Sequence, residues 1–100
     1  MKDPELVLNE FGRGAFQLIE NNEKLGEMVV AVESGRLIVY HTEVNPKEEG
    51  KGLAKILLNA MVSYARANQL KVIPLCPYVH AQFKRHPNEF EDIWEKDEEV

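Results

Sequence analysis

An α/β fold built on a mixed sheet is predicted by three features of the 100-residue sequence. Its first half holds apolar, β-branched runs separated by turn residues, which read as antiparallel strands. Its middle holds apolar residues at three- and four-residue steps, the pattern of an amphipathic helix. A further apolar run follows that helix directly, and a strand, helix, strand succession within one sheet calls for a parallel pair joined by a right-handed crossover.

Residues 1–13 are polar and run into Gly12-Arg13-Gly14. They are expected to form a flexible lead-in, ahead of a single domain over residues 14–96 and an acidic tail over 97–100. Phe16, Leu18 and Glu20 alternate with Gln17 and Ile19 before Asn21-Asn22, a pair that tolerates left-handed backbone, so the first strand is expected over residues 15–20. The continuous run MVVAV at residues 28–32 predicts a second strand covered on both faces, and Glu33-Ser34-Gly35 supplies hairpin chemistry after it. The third strand, residues 37–44, stops at Asn45-Pro46, because proline cannot donate to a ladder. Period two places Leu37, Val39, His41 and Glu43 on one face of it, and Ile38, Tyr40, Thr42 and Val44 on the other.

Leu53, Leu57, Ala60, Met61 and Tyr64 define the apolar side of a helix running to about Asn68, with Lys55, Asn59 and Arg66 opposite. Residues 71–76 are the next strand, and Pro74 within it predicts that pairing loosens there, leaving a gap that can admit a ligand. Pro77 suits the first turn of a helix with Val79, Ala81 and Phe83 inward, which Pro87 ends. Asn88 and Glu91 match a capping box for a last helix with Phe90, Ile93 and Trp94 inward.

The formal charge of -5, with acidic residues crowded after Asn88, argues against nucleic-acid binding, which needs clustered Lys and Arg; a basic substrate fits better. A single cysteine excludes an internal disulfide and a multi-cysteine metal site, and points to a reducing compartment, the cytoplasm. His41, Cys76, His80 and His86 show no metal-ligand spacing, so no metal is expected. MKDPELVLNE has neither the apolar stretch of a signal peptide nor the composition of a transit peptide, and no segment is apolar for long enough to span a bilayer. The length leaves no room for a separate substrate domain, and a monomer or weak homodimer is expected.

The segment from Val44 to Ala54 joins a strand end to a helix start through Gly50-Lys51-Gly52. At a helix N-terminus the first N–H groups lack internal partners and the peptide dipoles favour negative charge, so a pyrophosphate can dock against the main chain. The same glycines also serve a turn that needs them for backbone geometry alone, and both readings stand for an isolated G-x-G.

HTEV, EEGKGLAKILL followed by YAR, and IPLCPYV followed by FKRHPNEF together resemble the small GCN5-related N-acetyltransferases of about this length, over residues 16–94. That resemblance implies a mixed, mostly antiparallel sheet in which acetyl-coenzyme A lies between two splayed parallel strands, with its pyrophosphate on a G-x-G/A turn. The family's turn pattern falls on Glu49, Gly50, Lys51, Gly52, Leu53 and Ala54, and Glu49 departs from the usual Arg or Gln. A carboxylate there repels pyrophosphate unless it points outward and the backbone amides, with Lys51 or Lys47, supply the attraction. The resemblance also implies strand-like pairing of the cofactor with Thr42, Glu43 and Val44.

The implied activity is acetyl-coenzyme A-dependent N-acetylation of a small amine or a protein amino group. The alternative is a non-catalytic acyl-coenzyme A sensor or interaction module of the same fold. Cys76, just ahead of a proline-led helix, is a candidate nucleophile or a small buried hydrophobe. His41 is a candidate base or a packed strand residue; Glu43 is a second candidate base, with a water chain as the third route. Tyr78 can protonate a leaving thiolate, line the pocket or simply pack. His80, Lys84 and Arg85 suit either a basic rim for the ribose phosphate or a solvated helix face, and His86 reads as surface.

Overall fold

The structure, a computed structural model, describes residues 3–96. Strands β1 (Glu5–Leu8), β2 (Arg13–Glu20), β3 (Glu23–Glu33), β4 (Arg36–Val44) and β5 (Lys71–Pro74) form one sheet in sequence order. The first four are antiparallel and β5 runs parallel to β4. Helix α1 (Leu53–Ala67) makes the crossover between them, and α2 (Pro77–Arg85) and α3 (Pro87–Phe90) follow β5. The acidic tail expected over 97–100 lies outside the described residues.

Two-residue loops with both φ angles positive close the β2–β3 and β3–β4 hairpins: Asn21 and Asn22 at 53° and 63°, Ser34 and Gly35 at 52° and 77°. This turn geometry matches the right-handed twist of the strands it joins, which explains why those residue types mark the turns in the sequence. The lead-in expected before Gly14 instead contains β1, with Leu6 opposite Phe16 and Leu8 opposite Gly14. Leu6 and Leu8 pack against the core, but a period of two over four residues is too short a pattern to stand out from polar flanks. Gly14 permits the pairing, since a Cβ at that position would collide with the Val7 carbonyl oxygen.

One apolar core lies between the sheet and the helices. Leu18, Met28, Val30, Leu37, Val39 and Val72 of the strands meet Leu57, Leu58 and Met61 of α1 and Val79 and Phe83 of α2, all with almost no exposure. The run at 28–32 is covered less evenly than expected: Met28, Val30 and Ala31 are buried, whereas Val29 and Val32 are half-buried. Ala81 is exposed rather than inward, because it lies about 200° around the helix from Val79, whereas Phe83, four residues on, returns to the same face.

The capping box expected at Asn88 and Glu91 does not form. Pro87 occupies the first helical position with His86 as its cap, no side chain caps the helix, and Glu91 sits at the other end of these four residues. Proline's fixed φ sets the start two residues early. Phe90 and Ile93 are buried and Trp94 packs against the core as expected, but α3 ends at Phe90, and Trp94 beyond it bridges Val72 in parallel. The Val72 N–H donates to the Ile93 carbonyl at 2.6 Å, and the Glu95 N–H to the Val72 carbonyl at 3.0 Å. The outer edge of β5 is thereby paired rather than left as a template for aggregation. Arg66 ties α1 to this segment, with Nε 2.8 Å from Asp92 Oδ2 and a second nitrogen donating to the Glu89 carbonyl at 2.7 Å.

Phe83 is the hub of the aromatic cluster, stacked on Phe90 at 4.7 Å and edge-on to Trp94 at 5.6 Å. Phe83→Ala is expected to lower stability by about 3–5 kcal/mol, read as a fall in denaturation midpoint. A loss below 1 kcal/mol would show that the cluster does not hold β5 and its flanking segment in place.

Candidate active site

β4 and β5 are paired only from Arg36 opposite Lys71 to Val39 opposite Pro74. Pro74 has no N–H to continue the ladder, and the last link is Cys76 N–H donating to the Val39 carbonyl at 2.9 Å. β4 runs on to Val44 while the other chain turns into α2, so the two diverge and leave one edge of residues 40–44 without a strand neighbour. The loosening expected at Pro74 is therefore present, at the carboxyl ends of parallel strands, where α/β sheets commonly take their ligands.

The face assignment made for β4 fails beyond Val39. Val30 lies opposite Val39 but Val29 lies opposite His41, so Tyr40 is an extra residue with no counterpart on β3. This bulge reverses the alternation. Thr42, opposite the fully buried Met28, takes up the helix-covered side, while His41 and Glu43 move to the other face and are exposed. His41 Nε2 lies 3.6 Å from Glu43 Oε1 there. His41 is thus neither packed with Leu37 and Val39 nor next to Cys76.

Cys76 is 1 % exposed and lies in the core cluster at the point where the strands part. Its Sγ is 3.2 Å from Thr42 Oγ1, a contact across the divergence that no spacing argument could reveal. Cys76 is also the N-cap of α2, with no side-chain cap bond formed. Tyr78 packs against the core, and its phenol pKa is raised, first by burial and then by the nearby Cys76. A phenol held protonated is suited to donate to a developing thiolate. His80, Lys84, Arg85 and His86 are exposed on or just beyond α2, with His80 edge-on to Trp94 at 6.1 Å.

After β4, a 3-10 turn at Pro46–Glu48 leads into the glycine turn. Gly50 and Gly52 have φ of 87° and 77°, so the left-handed backbone requires glycine whether or not a ligand binds. Gly52 caps α1 with no side-chain hydrogen bond and no acidic residue in the first turn. The first intrahelical bond comes from Ile56 to the Gly52 carbonyl at 3.2 Å, so the N–H groups of Leu53, Ala54 and Lys55 carry no helical acceptor. Space beside both glycines is open. Leu53 is 2 % exposed and Ala54 half-buried, so their side chains offer little to a ligand. Glu49 is exposed. Both nearby lysines are paired, Lys51 with Glu48 at 2.8 Å and Lys47 with Glu23 at 3.4 Å, and the Glu48 hydrogen bond raises the Lys51 pKa. A concavity of about 360 Å³ borders this end of β4, lined by residues 24–27 and 43–46.

Among the described residues, no three or more His, Cys, Asp or Glu side chains are grouped to hold a metal ion, and no helix is long and apolar enough to cross a membrane.

Residues 15–93 match the family model described as GCN5-related N-acetyl-transferase. The chain is also similar to the solution structure of a GCN5-like protein of Staphylococcus aureus, assigned to the N-acetyltransferases, at 27% identity and a TM-score of 0.68. That similarity covers 99% of this chain and 95% of the other. No curated protein matches the chain.

Burial raises the Tyr78 phenol pKa and so links stability to alkaline pH. The folded protein keeps the phenol proton to a higher pH than the unfolded chain, so this contribution to stability is complete below about pH 10 and is lost as pH rises through the folded value. Tyr78→Phe is expected to flatten the alkaline fall in stability, followed by denaturant midpoint against pH. An unchanged alkaline limb would place the phenol in ordinary solvent.

Proposed function

Because the chain belongs to the GCN5-related N-acetyltransferase family, we propose that it moves the acetyl group of acetyl-coenzyme A to an amine, on a small molecule or a protein. The observation that carries this reading is the divergence of β4 from β5, with Cys76 at its base and a left-handed, uncapped helix start after β4. The donor set fits the coenzyme. Free N–H groups at the start of α1 suit a pyrophosphate, and the unpaired edge at Thr42, Glu43 and Val44 suits the amide-bearing arm. Gly50, Lys51, Gly52, Leu53 and Ala54 would hold the phosphates mainly by backbone, with Glu49 directed to solvent. The coenzyme supplies an acetyl thioester.

Two orders of transfer are compatible with the residues. In direct attack, His41, Glu43 or a water relay takes the proton of an amine arriving from the exposed face, and Tyr78 returns a proton to the departing thiolate. Backbone N–H groups stabilise the oxyanion. In the covalent order, the Cys76 Sγ bonds to the carbonyl carbon as the carbon–sulfur bond to the coenzyme breaks, and the proton that Cys76 gives up ends on the departing coenzyme thiolate. The amine then displaces Cys76 from the acetyl group, restoring the thiol and leaving the amide. We place the protein in the cytoplasm, where a single thiol stays reduced, as a monomer or weak homodimer.

Acetyl-coenzyme A at a hundred times its dissociation constant is expected to stabilise the fold by about 2.7 kcal/mol, seen as a rise in melting temperature; no rise at millimolar ligand would defeat the reading. Thiol release in the presence of primary amines then separates an enzyme from a sensor. For the covalent order, intact-protein mass spectrometry should show an acetyl adduct that Cys76→Ser removes. Full transfer by that variant would leave direct attack.

A further inference from the structure

We propose that Thr42 is a positioning residue for Cys76: its hydroxyl donates to Sγ once the thiol loses its proton, and so decides how readily that sulfur acts as a nucleophile. In the resting protein Oγ1 and Sγ are 3.2 Å apart and either can be the donor. The choice disappears on ionisation. A thiolate only accepts, so the Thr42 O–H must turn toward it, and the bond becomes charge-assisted and stronger. Stabilising the ionised form more than the neutral one is what makes a buried sulfur reactive, since burial by itself opposes ionisation.

Apart from the positive end of α2, at whose N-cap Cys76 lies, the surroundings leave this task to Thr42. Cys76 is 1 % exposed, so water cannot readily solvate a thiolate there. The buried members of its core cluster from β4, β5 and α1 are apolar, and among them Leu37, Val39, Val72 and Met61 have no accessible surface. From α2, Cys76 has no side-chain cap bond, and Tyr78 is the titratable group coupled to it, with a phenol that stays protonated to higher pH. His80, one turn along α2, is exposed and meets Trp94 instead. On β4 the bulge sends His41 and Glu43 to the opposite face. The bulge is also what brings Thr42 to the cysteine's side: without the extra Tyr40, period two would send the hydroxyl to the open face.

The role in acyl transfer rests on the function proposed above, whereas the bond between Thr42 and Cys76 can be tested without any coenzyme. Alkylation of Cys76 by iodoacetamide, followed by intact-protein mass spectrometry across pH, compares the full-length protein with Thr42→Val and Thr42→Ser. Losing one hydrogen bond to the ionised sulfur lowers the thiolate fraction, partly offset by higher intrinsic nucleophilicity, so Thr42→Val should react about three- to fourfold more slowly at pH 7. At a pH where the thiol is fully ionised in both proteins only the nucleophilicity remains, so Thr42→Val should there react as fast as the parent or faster, and Thr42→Ser should stay near the parent rate throughout. If Thr42 merely covers the cysteine, the valine variant would react at the parent rate or faster at every pH, and the proposal falls. A serine variant as slow as the valine variant would overturn it as well, by assigning the effect to the methyl group. With saturating acetyl-coenzyme A in place of iodoacetamide, the same ranking of acetyl adducts extends the role to acyl transfer. Absence of adduct in all three proteins, with the alkylation ranking intact, would sink the covalent order alone.

Discussion

The parallel pairing of β4 with β5 ends at Val39 and Pro74, and the candidate chemistry of this protein depends on that interruption. A fifth strand paired along its whole length would fill the edge beside residues 40–44 and leave no place for a ligand to run along β4. Proline imposes the stop by lacking a donor, and the Cys76 N–H bond to Val39 fixes where the second chain turns away. The outer edge of β5 is held by Trp94 and the adjoining carbonyl and amide contacts, so the opening exists on one side only. Packing of Phe83 on Phe90 and Trp94 thus supports a site to which none of the three contributes a functional group.

The extra residue at Tyr40 has the second largest effect. It divides four candidate residues between two faces of one sheet: Thr42 joins Cys76 on the covered side, and His41 joins Glu43 on the exposed side. With a candidate base on one face and a candidate nucleophile on the other, the proposed reaction would have two substrates approach from opposite sides and meet in the gap between strands. The low-dielectric side holds the sulfur and a protonated phenol, whereas the solvated side holds the imidazole and carboxylate.

The phosphate recognition proposed for the start of α1 would rely on geometry more than on charge. Gly50 and Gly52 supply left-handed backbone, and the absence of a side-chain cap leaves amide donors exposed at the positive end of the helix dipole. Lys47 and Lys51 are each engaged by a glutamate, and Glu49 adds negative charge nearby, so net attraction must come from the oriented main chain. Exposed ion pairs of this kind are weak and exchangeable, and a phosphate competing for Lys51 would displace Glu48 at small cost.

The hairpin turns, the long helix to its end at Ala67, the parallel crossover, the break at Pro74 and the glycine turn were all legible in the sequence, because each is written by local preference: φ, ladder donors or a periodic apolar face. β1 escaped because four residues carry too short a period, and the capping box failed because Pro87 competes for the same helix start. The side on which His41 lies and the contact of Thr42 with Cys76 were decided only by tertiary structure. A bulge adds one residue to a strand without requiring any residue type to announce it, and two side chains 34 residues apart meet only once the sheet has set their register.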